Sequence, residues 1–285
     1  MYYNLQPLKS PKGELKSRGL CNYLYSFIFF GYLPFVFNSC DSKVNLSGTE
    51  IQMKPELNAI GNNENHYLNI KDIPLPFGYT IINQGGDSFG YWLQQVNLKK
   101  NKTVYIFDGR PKANQDAQFA VLDFTVGNQD LQQCADAVMR LRAEYLFAQK
   151  KYKDIHFTDN EGKLYQFPAP HTYYKLQSFL QIVFGMCGSA SLSKQLKSKP
   201  ISSMESGDVF IRGGFPGHAV IVMSIAQNKE GKKIYLLAQS YMPAQDIHVL
   251  VNPLYEKLSP WYNLNEDELI HTPEFIFRKN ELKGW

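Results

Sequence analysis

The two residues best suited to chemistry in this sequence are a cysteine, Cys134, and a histidine, His218. Cys134 begins a segment whose apolar residues recur at helical spacing, and Asp130 is predicted to cap that helix, with Gln133 as the partner of a capping box. The sulfur is therefore expected in the first helical turn, where the helix dipole favours an anion and lowers a thiol pKa. This placement predicts a thiolate nucleophile at Cys134.

His218 begins an apolar strand directly after a Gly-Gly-Phe-Pro-Gly turn. A second strand from Lys233 to Ser240 is predicted to close a hairpin over the loop 228–231. If paired residue numbers across the hairpin sum to about 457, His218 lies opposite Gln239, whose amide oxygen can hold one imidazole N–H and fix the tautomer. A cysteine, then a histidine, then a polar residue that orients it is the order of papain-like thiol hydrolases. The predicted reaction is attack of Cys134 on an amide carbonyl with His218 as base, followed by hydrolysis of the acyl-thioester.

Other residues are candidates for supporting roles. Gln133, or its neighbour Gln132, could form an oxyanion hole with the backbone N–H of Cys134, and the alternative for both is helix capping. His248 and Arg140 are candidate substrate contacts. For His248 the alternative is a surface or packing role, and for Arg140 it is a place on the polar face of the helix.

Each member of the predicted triad also has a structural alternative. Cys134 could be a core thiol, or it could form a disulfide with Cys187 in an oxidising compartment. Cys187 is a rival nucleophile, but it follows a predicted helix, where the dipole disfavours a thiolate. His218 could be a structural strand residue, and Gln239 could be a polar residue at the end of a β-ladder.

Several functional classes lack their sequence signals. CxxC, HExxH and HxxxH spacings are absent, and so are the glycine-rich loops that bind nucleotide phosphates, so neither a metal nor a cofactor is predicted. The formal net charge of +4 comes mostly from residues 1–39, since the rest of the chain carries 26 basic and 25 acidic residues. We therefore expect no nucleic-acid partner.

The N-terminal region is typical of an exported protein. Residues 9–18 are basic, residues 23–37 are largely apolar, and Cys40 follows Asn38 and Ser39. This order predicts a lipoprotein signal peptide over 1–39, a lipidated Cys40 and a flexible tether over 40–65. The expected location is the bacterial cell envelope, with attachment to the membrane through the lipid on Cys40. A cleaved secretory signal and a retained anchor are the alternatives.

Residues 66–285 are expected to form one α+β domain. Helices are predicted over 131–150, 171–184 and 191–196. Strands are predicted over 79–82, 104–107, 120–124, 208–211, 218–224, 233–239 and 247–251.

Two family resemblances bear on this domain. The segments 130–145, 214–222 and 238–248 resemble a family of bacterial lipoproteins catalogued as a domain of unknown function, over roughly residues 66–280. More distantly, the segments 207–211 and 217–222 resemble the histidine-bearing strands of NlpC-type cysteine peptidases. That resemblance implies a papain-like fold, with the cysteine helix packed on an antiparallel sheet, and a peptide or peptidoglycan-like substrate. The sequence Gln-Cys-Ala-Asp around Cys134 departs from the Asp-Cys-Ser-Gly of those enzymes. A non-catalytic binding module and a thiol acyltransferase are therefore the competing hypotheses.

Overall fold

The computed structural model describes residues 63–264 and 267–285, all within one compact unit, Leu57–Trp285. The predicted signal peptide, Cys40 and most of the tether lie outside the described residues. Glu64 pairs with Asn101 and Asn65 is buried, so the folded domain begins at or before Asn63. Among the described helices, none combines the length and the apolar character needed to cross a membrane.

Four α-helices, four short 3-10 helices and thirteen strands make up the described part of the chain. The α-helices are α1 Phe89–Gln94, α2 Cys134–Ala148, α3 Tyr173–Met186 and α4 Ser189–Gln195. The strands are β1 Tyr79–Ile81, β2 Gln118–Val121, β3 His156–Thr158, β4 Leu164–Gln166, β5 Lys197–Ser198, β6 Val209–Arg212, β7 His218–Asn228, β8 Lys233–Gln239, β9 His248–Leu250, β10 Tyr262–Leu264, β11 Leu269–His271, β12 Ile276–Arg278 and β13 Leu282–Gly284. The 3-10 helices are Ile70–Asp72, Tyr152–Asp154, Ile201–Ser203 and Lys279–Glu281.

One nine-stranded sheet organises these elements. Its main path runs β2-β9-β8-β7-β6-β13-β5, while β1 also pairs with β7 and β10 with β8. Two separate hairpins are formed by β3 with β4 and by β11 with β12, and every described strand pairing is antiparallel. The domain is thus a mixture of helices and antiparallel sheets, as the sequence predicted.

Strand β7 lies at the centre of the sheet and is covered on both faces. Its residues from His218 to Ala226 are all buried, because one face packs against α2 and its neighbours and the other against a second apolar cluster. This explains why β7 reads as a continuous apolar run rather than an alternating one. The strand is a rigid base for the histidine at its start.

Helix α2 is buried around most of its circumference. The predicted core stripe is partly confirmed, since Val138, Leu141 and Tyr145 are buried, but Ala148 is exposed. The polar face predicted as the alternative place of Arg140 is buried at this residue. Arg140 and Glu144 form a buried ion pair at 2.8 Å, and Arg140 also donates to the Gln132 side chain.

The other differences concern short elements. Residues 104–107 make isolated bridges rather than a strand. The sequence reading also missed α1, both small hairpins and the strands β5, β10 and β13, which are only two to six residues long. Elements of this length have too little periodicity to be recognised and depend on their tertiary partners.

Candidate active site

The start of α2 is fixed by a capping arrangement three residues later than predicted. Gln133 is the N-cap, and its backbone N–H donates to the Asp136 carboxylate at 2.9 Å. Asp130 instead accepts from the backbone N–H of Ala244 at 2.7 Å and from the side-chain amide of Gln133 at 3.0 Å. Cys134 is therefore the first residue of the helix, as its role requires.

A hydroxyl group connects this helix start to the end of β8. The Ser240 Oγ lies 2.8 Å from the carbonyl oxygen of Gln132 and 2.8 Å from that of Gln245. Ser240 is fully buried and directly follows Gln239. This contact links the Cys134 segment to the strand end that holds Gln239.

His218 begins β7 inside a group of aromatic rings. Its ring centroid lies 4.8 Å from that of Tyr241, 5.0 Å from Phe275 and 5.8 Å from Phe277. Only about 1% of His218 is exposed. The rings exclude water from the imidazole and limit its rotation.

The hydrogen bonds of Gln239 define the tautomer of His218. The Nε2 of Gln239 lies 2.6 Å from a Glu274 carboxylate oxygen, so it must be the amide nitrogen that donates there. The Oε1 therefore faces His218 Nε2 at 2.8 Å and accepts a hydrogen bond from its N–H. In the neutral imidazole the lone pair is then on Nδ1. Nδ1 is the atom that can take a proton from a thiol.

Glu274 and Lys112 complete this arrangement, and the sequence reading missed both. Lys112 Nζ lies 2.7 Å from the same Glu274 oxygen that accepts from Gln239, and both side chains are largely buried. Glu274 reaches the site from the turn between β11 and β12, far along the chain from Lys112. A lone glutamate and a lone lysine in loops give no sequence signal for such a pairing.

Cys134 and His218 line one cleft of about 540 Å³. The backbone N–H of Ala219, the residue after His218, lies within hydrogen-bonding reach of the Cys134 sulfur. The Tyr241 side chain also lines the cleft. It lies close enough to Cys134 for a charge on the sulfur to raise the pKa of Tyr241. The remaining cleft residues are mostly small or apolar: Ala135, Phe184, Cys187, Gly188, Ala190, Gly214, Phe215, Pro216, Gly217, Met242 and Phe275, with Gln133, Asp136, Asn160 and Ser189 as the polar ones.

Burial decides the protonation of both groups. Removal from water raises the pKa of the Cys134 thiol to about 11, and the nearby Asp136 carboxylate adds to this, against the backbone N–H groups that lower it. Burial likewise lowers the pKa of His218 to about 4, against the Gln239 hydrogen bond and the Glu274 charge that raise it. The effect of burial on the thiol pKa is therefore larger than the lowering expected from the helix dipole. At neutral pH the pair is a thiol and a neutral imidazole.

Cys187 lies in the same cleft. It follows the last residue of α3, is buried, and is a free thiol like Cys134, so the two are not joined in a disulfide. Burial raises the pKa of Cys187 to about 11, and the charges of Asp159 and Asp136 raise it further.

The remaining predicted residues occupy different positions. His248 is fully buried, with Nδ1 2.9 Å from the Asp246 carbonyl oxygen, and it is not part of the cleft wall. Arg140 lines a separate small cavity and bonds to the Gln132 side chain at 2.9 Å. Neither candidate substrate contact lines the Cys134 cleft. Gln133 does line the cleft, with its amide nitrogen held by Asp130.

No group of three or more His, Cys, Asp or Glu side chains suited to a metal ion occurs within residues 63–264 and 267–285.

The chain belongs to the family described as domain of unknown function 4846. The family model matches residues 70–175 and residues 166–284, which together include α2, the β7–β8 hairpin and Glu274. Neither a search of curated proteins nor a search of solved structures found a match to this chain.

Proposed function

We propose that this protein is a thiol amidohydrolase with Cys134 as nucleophile and His218 as base. The observation that carries the proposal is the tautomer of His218, in which Gln239 holds the proton on Nε2 and leaves the Nδ1 lone pair to act as a base. A general base must be neutral at the working pH, and burial keeps this imidazole neutral.

The proposed reaction uses both side chains in turn. As Cys134 attacks an amide carbonyl carbon, its S–H proton moves to Nδ1 of His218, and a C–S bond forms. The C–N bond then breaks, and the leaving nitrogen takes the proton from His218. Water adds to the resulting thioester with His218 again as base, which releases the acid and restores the thiol.

The oxyanion that forms on the carbonyl needs hydrogen-bond donors. Cys134 is the first residue of α2, where backbone N–H groups have no partner within the helix. Its N–H, together with the side chain of Gln133, is the donor set we propose. Gln239 orients His218, and the Glu274–Lys112 pair in turn holds Gln239.

The architecture we propose is papain-like, of the NlpC type. Three features support this: a cysteine at the start of a helix, a histidine at the start of the strand against which the helix packs, and an orienting amide on the neighbouring strand. The proposed substrates are peptides, including peptidoglycan-like ones. We also propose export to the bacterial cell envelope with a lipid anchor on Cys40, which rests on the order of basic, apolar and cysteine residues in the N-terminal sequence.

The test is hydrolysis of a panel of peptides and peptidoglycan stem peptides by the full chain. Loss of product with Cys134→Ala and with His218→Ala, and retention with Cys187→Ala, would support the proposal. Equal hydrolysis by the wild type and Cys134→Ala would refute it. An added amine acceptor would divert the product if the protein were an acyltransferase instead.

The raised thiol pKa favours a second candidate, a binding module that uses the same cleft without turnover. A partly exposed Cys134 that stays protonated at neutral pH is what an inert cleft would contain. Binding of the same peptides with equal affinity by wild type and Cys134→Ala, without product from either, would identify this function.

A further inference from the structure

A second cavity lies away from the Cys134 cleft and shares none of its lining residues. Its volume is about 620 Å³, within the range that holds a small molecule. Arg142 on α2, eight residues or roughly 12 Å beyond Cys134, forms part of its wall. Ile225, near the far end of β7 from His218, forms another part.

Arg142 has no hydrogen bond or ion pair among the described residues. Its guanidinium is instead held by aromatic rings, with its central carbon 5.1 Å from the Phe89 ring centroid, 5.3 Å from Tyr145 and 5.1 Å from Trp285. Burial lowers its pKa, and the nearby Asp154 lies too far away for an ion pair. The rings hold the planar guanidinium in place, and its N–H donors have no hydrogen-bond partner among the described residues.

Two residues that line this cavity also carry donors without hydrogen-bond partners among the described residues. The Ser206 hydroxyl is buried, with about 7% of the residue exposed, and has no hydrogen bond. The indole N–H of Trp285 is likewise buried and unpaired. Buried polar groups in folded proteins usually have a hydrogen-bond partner, so these two donors can accommodate an acceptor supplied by a ligand.

The charges around the cavity favour an anion. Glu205 and Asp208 also line it, but both are paired with Lys199, at 3.0 Å and 2.9 Å. Arg142 and Lys233 remain as cations without a paired carboxylate in the described residues. The lining thus has a net positive charge.

We propose that this cavity binds a small molecule through an oxyanion, either a carboxylate or a phosphate. Arg142 supplies the charge and a planar pair of donors, and Ser206 and Trp285 supply neutral donors. The site does not depend on the proposed hydrolase activity. The bound anion is not proposed to reach the Cys134 cleft.

The test is calorimetric titration of the full chain with inorganic phosphate and, separately, with acetate, each against sodium chloride at equal ionic strength. We expect saturable binding of one of the two anions, and the one that binds identifies the oxyanion. Ser206→Ala should raise the Kd about tenfold. Arg142→Lys should raise it at least as much, because lysine keeps the positive charge but lacks the planar pair of N–H donors of a guanidinium. Cys134→Ala is the control and should leave the Kd unchanged.

Two results would overturn the proposal. One is the absence of saturable binding by either anion beyond the chloride control. The other is an unchanged Kd in a folded Ser206→Ala variant, which remains decisive if Arg142→Lys fails to fold. Circular dichroism and thermal melting establish folding for each variant.

Discussion

His218 Nε2 and Gln239 Oε1 lie 2.8 Å apart, although the strand register does not place the two residues opposite each other. Paired residue numbers in the hairpin sum to 460 near the loop and to 459 beyond the irregularity between Val222 and Ser224, rather than to about 457 as predicted. His218 is paired with Arg212 of β6, and Gln239 with His248 of β9. The two side chains meet across the end of the sheet.

Alkylation of Cys134 should be slow at neutral pH. Because burial raises its thiol pKa to about 11, the thiolate fraction at pH 7 is far smaller than for a free cysteine with a pKa near 8.5, and the rate should rise steadily up to about pH 11. Mass spectrometry after iodoacetamide treatment measures this, with Cys187→Ala to isolate the Cys134 signal. Fast labelling at pH 6 that disappears in His218→Ala would instead indicate a thiolate–imidazolium pair.

Two different substitutions of Gln239 should move the pKa of His218 in opposite directions. Gln239→Glu puts a carboxylate beside Nε2, which favours the imidazolium and raises the pKa above about 4. Gln239→Met has a similar size but removes the hydrogen bond that raises the pKa, so the value should fall. NMR titration of the His218 ring measures both, and equal shifts would contradict the assigned contact.

Acid should destabilise the fold through its two buried imidazoles. Burial lowers the pKa of His218 to about 4 and of His248 to about 3, whereas both are near 6.5 when unfolded. The unfolded chain therefore binds more protons below pH 6.5, so stability is present above that pH and is lost as the pH falls toward 4 and 3. For His218 the loss is on the order of 3 kcal/mol.

Urea unfolding at pH 7 and pH 4.5 measures this loss. His248→Gln should reduce the difference between the two pH values, and the exposed His66→Gln serves as the control. Asp136 has the opposite effect on stability. Burial raises the pKa of its carboxyl group, so its contribution to the free energy of unfolding increases as the pH falls. A pH difference that is the same in wild type and His248→Gln would count against this account.

Glu274→Ala should destabilise the domain strongly. It leaves the buried Lys112 ammonium without its carboxylate and removes an acceptor from Gln239, at a cost of about 3 kcal/mol in the free energy of unfolding. Glu230→Ala is the matched control, because it breaks the exposed pair with Lys232 and should change the stability only slightly. Equal effects in chemical denaturation would show that the Lys112 pair is not desolvated.

Gly217→Ala should displace the residue that follows it, His218. A Cβ at Gly217 would lie 3.0 Å from the Arg212 carbonyl oxygen and much too close to the Gly214 carbonyl oxygen and the Ser189 hydroxyl. Backbone atoms cannot move aside easily, so a loss of about 1–3 kcal/mol is expected. Gly188→Ala, in the same cleft but with open space at its Cβ, should change stability by less than about 0.5 kcal/mol. Thermal melting of the two variants compares them, and equal melting temperatures would contradict the clash.

The features of the site that could be predicted are those that depend on the spacing of apolar residues within one helix or strand. The bounds of β8 and the placement of Cys134 in the first turn of its helix follow from periodicity, and they agree with the structure. The charge states do not follow from local pattern, because they depend on how completely distant segments cover Cys134 and His218. Glu274 was missed for the same reason: its contact with Gln239 spans 35 residues and depends on a short hairpin.

The position of β13 has a consequence for biosynthesis. This strand, Leu282–Gly284, lies between β6 and β5, so one edge of β6 has no partner until these last residues are available. During translation the half-formed sheet would present that open edge, which is a template for pairing with other chains. Chaperones should therefore bind chains in which residues 282–284 have not yet paired with β6 and β5.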